Sequence, residues 1–379
     1  MVSNLVRYIK SDVIHDLEQK MVLIGGPRQV GKTTLALSLL NPPTTENEAY
    51  LNWDDISDKK KIKLGELPAE KKLIILDEIH KYKNWRNLIK GFYDKKKHRH
   101  QFLITGSARI DHYSKGGDSL LGRYHFYRMH PLSVGELKIE TKQAFENLLA
   151  YGGFPEPYFK KDLVFSKRWR RSRLQRILKE DLRDLEQVKE ISLIESLVEL
   201  LPKTVGSGLS YQSLSSEIEV DIKTVQKWTG ILDNLYLTYR IKPYISKKLR
   251  VVKRTEKLYF WDWSGLENAG SRFENLVGSQ LLKYCHYIED TQGDDMRLCY
   301  LKDTEGREVD FVVLKNKKPL FAVECKTGER SVSPYLRYYL QRTEIPYFYQ
   351  VHLGNKHFIP EEGIEVLPFL KFCKKMNMP

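Results

Sequence analysis

Three short apolar runs mark the first 110 residues of the chain. Residues 22–24, 73–76 and 102–104 are uninterrupted by polar side chains, a pattern typical of parallel strands that are covered on both faces. The helix-like residues 35–40 follow the first run. Strands and helices in this order predict an α/β fold.

The pattern changes after residue 190. Between residues 193 and 201 the apolar side chains recur on one face of a helix. A short helix is then predicted from residue 209, a turn at 219–221 and a second helix from 222. This succession predicts a winged helix-turn-helix.

A glycine-rich loop joins the first apolar run to the helix that follows it. Glycines let backbone N–H groups close around phosphates, and a helix N-terminus places partial positive charge there. Lys32 is predicted to reach the β- and γ-phosphates of a nucleoside triphosphate, and the Thr33 hydroxyl to ligate Mg²⁺. The residues predicted to hold the nucleotide are Gly26, Pro27, Arg28, Gln29, Val30, Gly31, Lys32, Thr33 and Thr34.

Two adjacent acids end the second apolar run. Asp77 is predicted to hold the magnesium ion through its water shell, and Glu78 to polarise the attacking water. Two acids at a strand end also fit the start of a turn, but a phosphate loop followed by an acid-capped strand predicts an ATPase core. Thr105 ends the third run, where its hydroxyl either orients the water or starts a turn.

Arg123 is the candidate arginine finger, the group that stabilises charge on the transferred phosphate. A finger supplied in trans requires an oligomer. The alternative is an exposed arginine that is solvated at the surface.

Together these motifs resemble the prokaryotic AAA-superfamily ATPases that carry a restriction-endonuclease-like C-terminal region. The resemblance rests on residues 26–33, 76–79, 105–107, 122–123 and 152–156 and spans nearly the whole chain. It implies ATP as the nucleotide, a sheet with the phosphate loop on its first strand and the acid pair on its third, and a small helical lid. It also implies a homo-oligomeric ring, for example a hexamer.

A glycine-glycine-proline turn is formed by Gly152, Gly153 and Pro155. In related signalling ATPases such a turn lies near the adenine, so the resemblance implies that Pro155 contacts the base. A turn that only breaks a helix is the alternative.

An acid-x-lysine motif lies near the C-terminus. Residues 308–314 and 320–326 are predicted to form the two strands of a hairpin. Side-chain alternation puts Glu324 and Lys326 on one face of the second strand, while Asp310 comes from the first. Two carboxylates so placed can bind magnesium, and Lys326 could position or activate the attacking water.

This arrangement is the mark of the PD-(D/E)xK nuclease fold. Glu274, on a helix-like segment upstream, fits the auxiliary acid that is often found there. Acid-x-lysine patterns are common on solvated strands, and domains of this type are also retained for DNA binding after cleavage is lost. The sequence therefore predicts the fold and leaves cleavage open.

The chain is strongly basic, with 63 Lys and Arg against 49 Asp and Glu and a formal net charge of +14. This balance raises the local concentration of polyanions, so nucleic acid is the expected partner, although solubility or an acidic protein are alternatives. A basic cluster at residues 167–176 surrounds Trp169. It either offers DNA phosphate contacts and a stacking platform or is the solvated face of an amphipathic helix.

The second helix of the predicted helix-turn-helix would enter the major groove through its first turns, and basic strands downstream would form the wing. The alternative is a winged helix that only couples subunits. The residues expected to contact DNA are Lys223, Thr224, Gln226 and Lys227 on the helix and Lys247, Lys248, Arg250 and Lys253 on the wing.

Composition narrows the class of protein. Hydrophobic residues make up 41%, which supports a globular chain, and no apolar stretch approaches the length of a membrane helix. Residues 1–10 contain no apolar signal region, so a cytoplasmic location is expected. The cysteines at 285, 299, 325 and 373 lack the paired spacing of a zinc site and are expected to be reduced.

These observations predict an α/β protein with four parts. They are an AAA-type P-loop ATPase core (1–140), a helical lid and connector (141–190), a winged-helix domain (191–260) and an α/β restriction-endonuclease-like domain (261–379). The expected function is an ATP-hydrolysing motor or remodeller of duplex or branched DNA, for example in junction branch migration. The alternatives are an ATP-regulated signalling or defence switch and a magnesium-dependent DNA nuclease controlled by ATP.

Overall fold

A computed structural model of the protein describes residues 5–107, 120–182, 190–245, 255–329 and 331–379. The described residues form two compact units. The first comprises those within Met1–Pro131 and Asn234–Tyr236, and the second those within Leu132–Asp233 and Leu237–Pro379.

The first unit is built on a parallel sheet of five strands in the order β2-β3-β4-β1-β5. As predicted, the glycine-rich loop follows the first strand and the acid pair ends the third. The strands are β1 Met21–Gly25, β2 Tyr50–Asn52, β3 Leu73–Asp77, β4 Gln101–Gly106 and β5 Tyr124–Arg128, and the helices are α1 Lys10–Leu17, α2 Lys32–Leu37, α3 Ile56–Leu64 and α4 Trp85–Lys96.

The apolar runs form strands because they are covered by packed side chains. Ile74, Leu76, Phe102 and Ile104 are almost completely buried in one core cluster. Parallel strands of this kind leave no face for water, which explains why the runs do not alternate with polar residues. The carboxyl ends of these strands therefore carry the polar residues of the unit's candidate site.

Four helices of the second unit begin at side-chain caps. The side chains of Thr141, Asp162, Ser210 and Asn268 each accept a hydrogen bond from the backbone N–H three residues later. The helices are α5 Lys142–Tyr151, α6 Pro155–Lys160, α7 Leu163–Arg176, α8 Ile191–Leu200, α9 Tyr211–Glu217, α10 Ile222–Asn234, α11 Ala269–Gln292, α12 Pro334–Leu340 and α13 Phe369–Lys375. A π-helical turn, Ile177–Asp181, continues α7.

A mixed sheet of eight strands forms the rest of the second unit, in the order β12-β13-β11-β10-β9-β8-β6-β7. The strands are β6 Thr238–Pro243, β7 Lys257–Phe260, β8 Met296–Lys302, β9 Glu308–Lys315, β10 Lys318–Lys326, β11 Phe348–His352, β12 Phe358–Glu361 and β13 Ile364–Pro368. The predicted hairpin is confirmed, since β9 and β10 are antiparallel. Asn316 and Lys317, in the turn between them, both have positive φ.

Around this hairpin the chain runs helix, three antiparallel strands, helix and parallel strand. Helix α11 precedes β8, β9 and β10, and α12 leads into β11, which is parallel to β10. Every connection within the antiparallel part is short. The arrangement brings the ends of β9 and β10 under the first turns of α11, where the acid-x-lysine motif lies.

Two expected domain boundaries do not coincide with the units of the structure. Residues 132–140 belong to the second unit, where Glu136 forms a buried ion pair with Lys283 of α11 and Val134 N donates to Gln280 Oε1 at 3.1 Å. Strands β6 and β7, assigned from sequence to the winged-helix domain, lie in the same sheet as β8. Both boundaries depend on contacts between residues that are distant in sequence, which local patterns do not reveal.

In the described ranges no helix combines the length and the apolar character needed to cross a membrane.

Candidate nucleotide site and acid cluster

The glycine-rich loop has the backbone conformation that its glycines permit. Gly26 has φ +149°, and a Cβ at this position would lie 2.4 Å from the backbone oxygen of Met129. Gly31, at the start of α2, is also left-handed, with φ 101°. Only glycine fits at Gly26, because a side chain there would collide with backbone rather than with a movable group.

A buried arginine holds the loop from behind. The guanidinium of Arg7 donates to the backbone oxygen of Val30 at 2.6 Å and to that of His130 at 2.5 Å. It thereby joins the loop to the residues that follow β5. Arg7 was not singled out from sequence, since nothing in the local pattern around it indicates a partner so distant in the chain.

Lys32 begins α2 and is almost completely buried. Its Nζ donates to the backbone oxygens of Gly26 and Pro27, both at 2.8 Å. The ammonium therefore lies across the mouth of the loop. This is the place from which a lysine can reach the terminal phosphates of a nucleotide held by the loop N–H groups.

Asp77 is the meeting point of three hydroxyl groups. Thr33 Oγ1 and the Tyr50 hydroxyl both donate to Asp77 Oδ2 at 2.8 Å, and Thr105 donates to Oδ1. Burial, followed by the charge of Asp77, raises the pKa of Tyr50 far above its ordinary value, so Tyr50 stays a donor. The hydroxyl and carboxylate oxygens fit a magnesium ion, which Thr33 would ligate directly and Asp77 through water.

Tyr50 was missed from sequence. It starts β2, whose pairing with β3 brings it beside Asp77, and that pairing is not visible in either segment alone. For Thr105, the predicted choice between a water-orienting hydroxyl and a turn residue is narrowed by the contact with Asp77. Its hydroxyl belongs to the site, and its effect on water stays a prediction.

Glu78 is held in a left-handed backbone conformation, with φ 55°. Its Oε2 lies 3.4 Å from Ser107 Oγ, 3.6 Å from Lys81 Nζ and 3.8 Å from His80 Nε2. Burial lowers the pKa of His80 and favours its neutral form. Lys81 is also paired with Asp54 at 2.6 Å. The carboxylate is thus oriented by its neighbours at the strand end.

The candidate arginine finger lies at the other edge of the sheet. Arg123 immediately precedes β5, which is parallel to β1, so it lies at the amino ends of strands whose carboxyl ends carry the loop. It forms two hydrogen bonds with Asp94, at 2.9 and 3.2 Å. From this position it could act only on a nucleotide of another subunit, as a finger in trans would. That role stays a prediction.

Pro155, predicted to contact adenine, is the first residue of α6 in the second unit. Its contact with the base stays a prediction. Of the remaining loop residues, Arg28 and Gln29 lie between β1 and α2, and Thr34 lies in the first turn of α2. Their backbone N–H groups belong to the loop and to this first turn.

A second group of functional side chains, the acid cluster, consists of Glu274, Glu308, Asp310 and Glu324. The structure brings together three of its members that were predicted from sequence, with Lys326 beside them. Lys326 Nζ donates to Glu324 Oε1 at 2.5 Å, and the backbone N–H of Cys325 donates to Asp310 Oδ2 at 2.8 Å.

Burial and mutual repulsion make the cluster hard to ionise. Burial, and then the charge of Asp310, raise the pKa of Glu324 to about 8 and that of Glu274 to about 7. Glu324 Oε2 is buried and has no hydrogen-bond partner within the described residues. The cluster therefore favours a bound cation or a retained proton.

Lys257, at the start of β7, supplies such a cation. Its side chain is only 1% exposed, and its Nζ lies 3.5 Å from Glu274 Oε1 and 3.9 Å from Asp310 Oδ1 and contacts Glu308. The Tyr259 hydroxyl donates to Glu274 Oε1 at 2.8 Å. Lys257 was missed from sequence, although a lysine that opens the apolar run 258–261 is a usable signal.

The acid cluster is not arranged as a metal site. In the part of the chain that the structure describes, no three His, Cys, Asp or Glu side chains are spaced to hold a metal ion. The space between Glu274, Glu308 and Asp310 contains the Lys257 ammonium. The donors are chemically suitable for magnesium, but their geometry here does not fit it.

The residues predicted to bind DNA are only partly described. Lys223, Gln226 and Lys227 are exposed on α10 and Thr224 is half-buried. The helices α9 and α10 and the turn between them lie where they were predicted. The predicted wing residues Lys247, Lys248, Arg250 and Lys253 lie outside the described residues.

Trp169 of α7 lies on the buried face of the helix, which argues against the alternative that it is a stacking platform for DNA. Its ring is buried against Phe154, with ring centroids 5.2 Å apart, and its indole N–H donates to Glu156 Oε2 at 3.0 Å. Arg173 is buried beside it, 4.2 Å from the centre of the Phe154 ring. One turn of helix separates Trp169 and Arg173, so the two share the inward face of α7.

Comparison with known proteins finds three family models along the chain. Residues 18–138 match a family model described as an AAA domain. Residues 142–275 and 269–372 match two domains of unknown function, DUF8612 and DUF4143. Residues 18–138 therefore match an AAA domain, and the loop described above lies within them.

Similar whole chains carry no assigned activity. An uncharacterised protein of Haemophilus influenzae is 23% identical over 79% of this chain and 80% of its own length. An uncharacterised protein of Mycobacterium tuberculosis is 24% identical over 92% of this chain and 80% of its own length. Among solved structures, the Thermotoga maritima RuvB Holliday junction branch migration motor is 16% identical over 61% of this chain and 88% of its own, with a TM-score of 0.32. That score is too low to indicate a shared overall fold.

Proposed function

We propose that this protein is an ATP-hydrolysing motor or remodeller that acts on DNA. The observation that carries the ATPase part is the contact between Thr33 and Asp77, with Glu78 next in the chain. It joins a magnesium-ligating hydroxyl on the phosphate loop to the strand that supplies the acid for hydrolysis. A loop that only bound nucleotide would not need Glu78 at that position.

The residues of the first unit divide the work of hydrolysis. The loop N–H groups and Lys32 would bind the phosphates, and Thr33 and Asp77 would hold Mg²⁺, which would offset the phosphate charge. Glu78 orients the attacking water. Tyr50 and Thr105 fix the Asp77 carboxylate by hydrogen bonds, so little reorganisation is needed when the nucleotide binds.

The DNA part of the proposal is supported by the basic face of α7, defined as Lys167, Arg168, Arg171, Arg176 and Lys179. All five side chains are exposed, and within the described residues none of them forms an ion pair. The face is uninterrupted by acids from residue 163 to residue 179. Cations so arranged fit the phosphate backbone of a nucleic acid.

The predicted recognition helix α10 offers a weaker electrostatic surface. Lys223 and Lys227 are exposed there, but Glu217, Glu219 and Asp221 are exposed in and just before the preceding turn. Phosphate binding at this surface would meet repulsion as well as attraction. The first contacts with DNA are therefore assigned to the basic face of α7, and α10 to a subsidiary role.

A ring-shaped homo-oligomer completes the proposal, because Arg123 can reach only a nucleotide of a neighbouring subunit. The second candidate function is an ATP-regulated DNA nuclease, which the convergence of Asp310, Glu324 and Lys326 would suit only in a state in which the Lys257 ammonium has left the acid cluster. An ATP-regulated switch differs from the motor in what stimulates it. A motor hydrolyses faster on DNA, whereas a switch turns over slowly and is indifferent to DNA.

Steady-state ATP turnover decides between the motor and the switch. The purified protein is assayed alone and with single-stranded, duplex and four-way-junction DNA at one fixed salt concentration, with Lys32→Ala as the blank. Stimulation by one of these structures supports a motor and identifies its substrate. Turnover that is the same with every DNA contradicts it.

A further inference from the structure

A fully buried lysine lies within the acid cluster. Lys257 has less exposed side-chain surface than any carboxylate around it, at 1% against 16% for Glu274, 21% for Glu308 and 16% for Asp310. Burial of an ammonium group costs several kcal/mol unless carboxylates surround it. Lys257 is therefore held in place for its charge, and it is not a lysine of the acid-x-lysine motif.

We infer that the Lys257 ammonium is the resident cation of the acid cluster and takes the place between Glu274, Glu308 and Asp310 that a divalent cation would otherwise occupy. The cluster is then closed to metal in this state. The inference concerns the second unit alone and does not depend on ATP hydrolysis.

Distance supports the inference. Magnesium requires oxygen ligands at about 2.0–2.1 Å, close to octahedral, and calcium at about 2.3–2.6 Å. The ammonium contacts Glu308 directly but is 3.5 Å from Glu274 and 3.9 Å from Asp310, so the oxygens around it are not arranged at metal-ligand distances from one point. A metal ion placed between the same oxygens would lie within a few ångströms of the ammonium, in a region where water does not screen their repulsion.

The lysine is also fixed by its surroundings. Lys257 pairs with Ile241 of β6 in the sheet, and its Nζ lies 5.3 Å from the centre of the Tyr300 ring. Because the Lys257 side chain is only 1% exposed, its ammonium does not face solvent. Displacement of the ammonium by a metal ion would require movement of β7 or of its neighbours.

The charges of the cluster nearly balance without a metal ion. Four carboxyl groups are matched by three ammonium groups, because Lys326 pairs with Glu324 and Lys302 pairs with Glu308 at 2.7 Å. One retained proton makes the balance complete. In this state the cluster needs no metal ion to offset its charge.

Manganese binding to the full-length protein without nucleotide tests the inference, with free Mn²⁺ measured by electron paramagnetic resonance. The matched control is Lys302→Gln, since Lys302 also pairs with Glu308 but is 35% exposed. Lys257→Gln is expected to bind one Mn²⁺ at the acid cluster, with an affinity at least about tenfold higher than that of wild type at the same place. Asp310→Asn in the same background should remove that site, and Lys302→Gln should behave as wild type.

Thermal unfolding gives an independent readout. Lys257→Gln leaves buried carboxylates without their cation, so its Tm should fall in chelator and rise again with Mn²⁺, whereas the wild-type Tm should not respond. A lowered Tm that Mn²⁺ does not restore would show that Lys257 is only a structural ion-pair partner and would overturn the inference.

The wild-type protein provides a test even if Lys257→Gln does not fold. Equal Mn²⁺ binding by wild type and Asp310→Asn supports the inference. Tight binding by wild type that Asp310→Asn abolishes would overturn it, because the cluster would then accept a metal ion with Lys257 present.

Discussion

Neutralisation of the basic face of α7 should reduce both the affinity for duplex DNA and its dependence on salt. The perturbation is the triple substitution of Arg168, Arg171 and Arg176 by glutamine. All three side chains are exposed and lie outside the hydrophobic core, so the free energy of unfolding should change by no more than about 0.5 kcal/mol per substitution. Loss of binding would then report lost phosphate contacts.

The expected magnitude follows from counterion release. Each phosphate contact contributes about −0.9 to the slope of the logarithm of the binding constant against the logarithm of salt concentration. If each of the three arginines contacts one phosphate, the slope should become less steep by about 2.7. If the variant and wild type bind equally at about 1 M salt, this difference in slope corresponds to a loss of up to about 500-fold in affinity at about 0.1 M salt.

Fluorescence anisotropy of a labelled duplex, titrated at four or five salt concentrations, measures both quantities. The matched control is the double substitution of Lys223 and Lys227 by glutamine on α10, which removes two exposed cations from a more acidic surface. Circular dichroism checks that each variant is folded. A triple variant with the slope and affinity of wild type would refute the assignment, and a change confined to the control would transfer it to α10.

The remaining predictions concern the loop, the hydrolytic acid and the buried ion pair. Gly26→Ala should abolish binding of a fluorescent ATP analogue, because the new Cβ meets backbone at 2.4 Å, whereas Gly91→Ala, in open space on α4, should keep binding and raise Tm. Glu78→Gln should bind ATP with unchanged affinity but hydrolyse it at least about 100-fold more slowly, measured as phosphate release. Lys283→Met should lower the free energy of unfolding of the second unit by about 3–5 kcal/mol in urea titration, because the buried Glu136 carboxylate loses its ion pair with Lys283; recovery by the additional change Glu136→Leu is expected, and failure to recover would contradict this reason.

The parts of the first site that are local in sequence could be predicted. Gly26 to Thr34 specify a loop and a helix start, and Asp77 and Glu78 end a strand that its own apolar run defines. Tyr50 could not be predicted, because its contact with Asp77 depends on the pairing of β2 with β3.

The second unit shows the same limit. The hairpin that carries Asp310 and Glu324 was predicted from alternation and a turn, whereas Lys257 reaches the cluster from a strand more than fifty residues upstream of Asp310. The burial of Trp169 was not apparent from sequence for a different reason. The charge of its neighbours suggested exposure, but the helical period places it with Ser166 and Arg173 on the inward face of α7.

Strand β6 has a consequence for how the C-terminal half can be isolated. It pairs with β8 through Lys242 and Pro243, opposite Cys299 and Tyr300, and so covers an edge of the sheet. A fragment that began at residue 261 would lack this cover and expose unpaired N–H and C=O groups of β8 to other chains. Such a truncation would be prone to aggregate during expression, so a fragment intended for separate study has to start before Thr238.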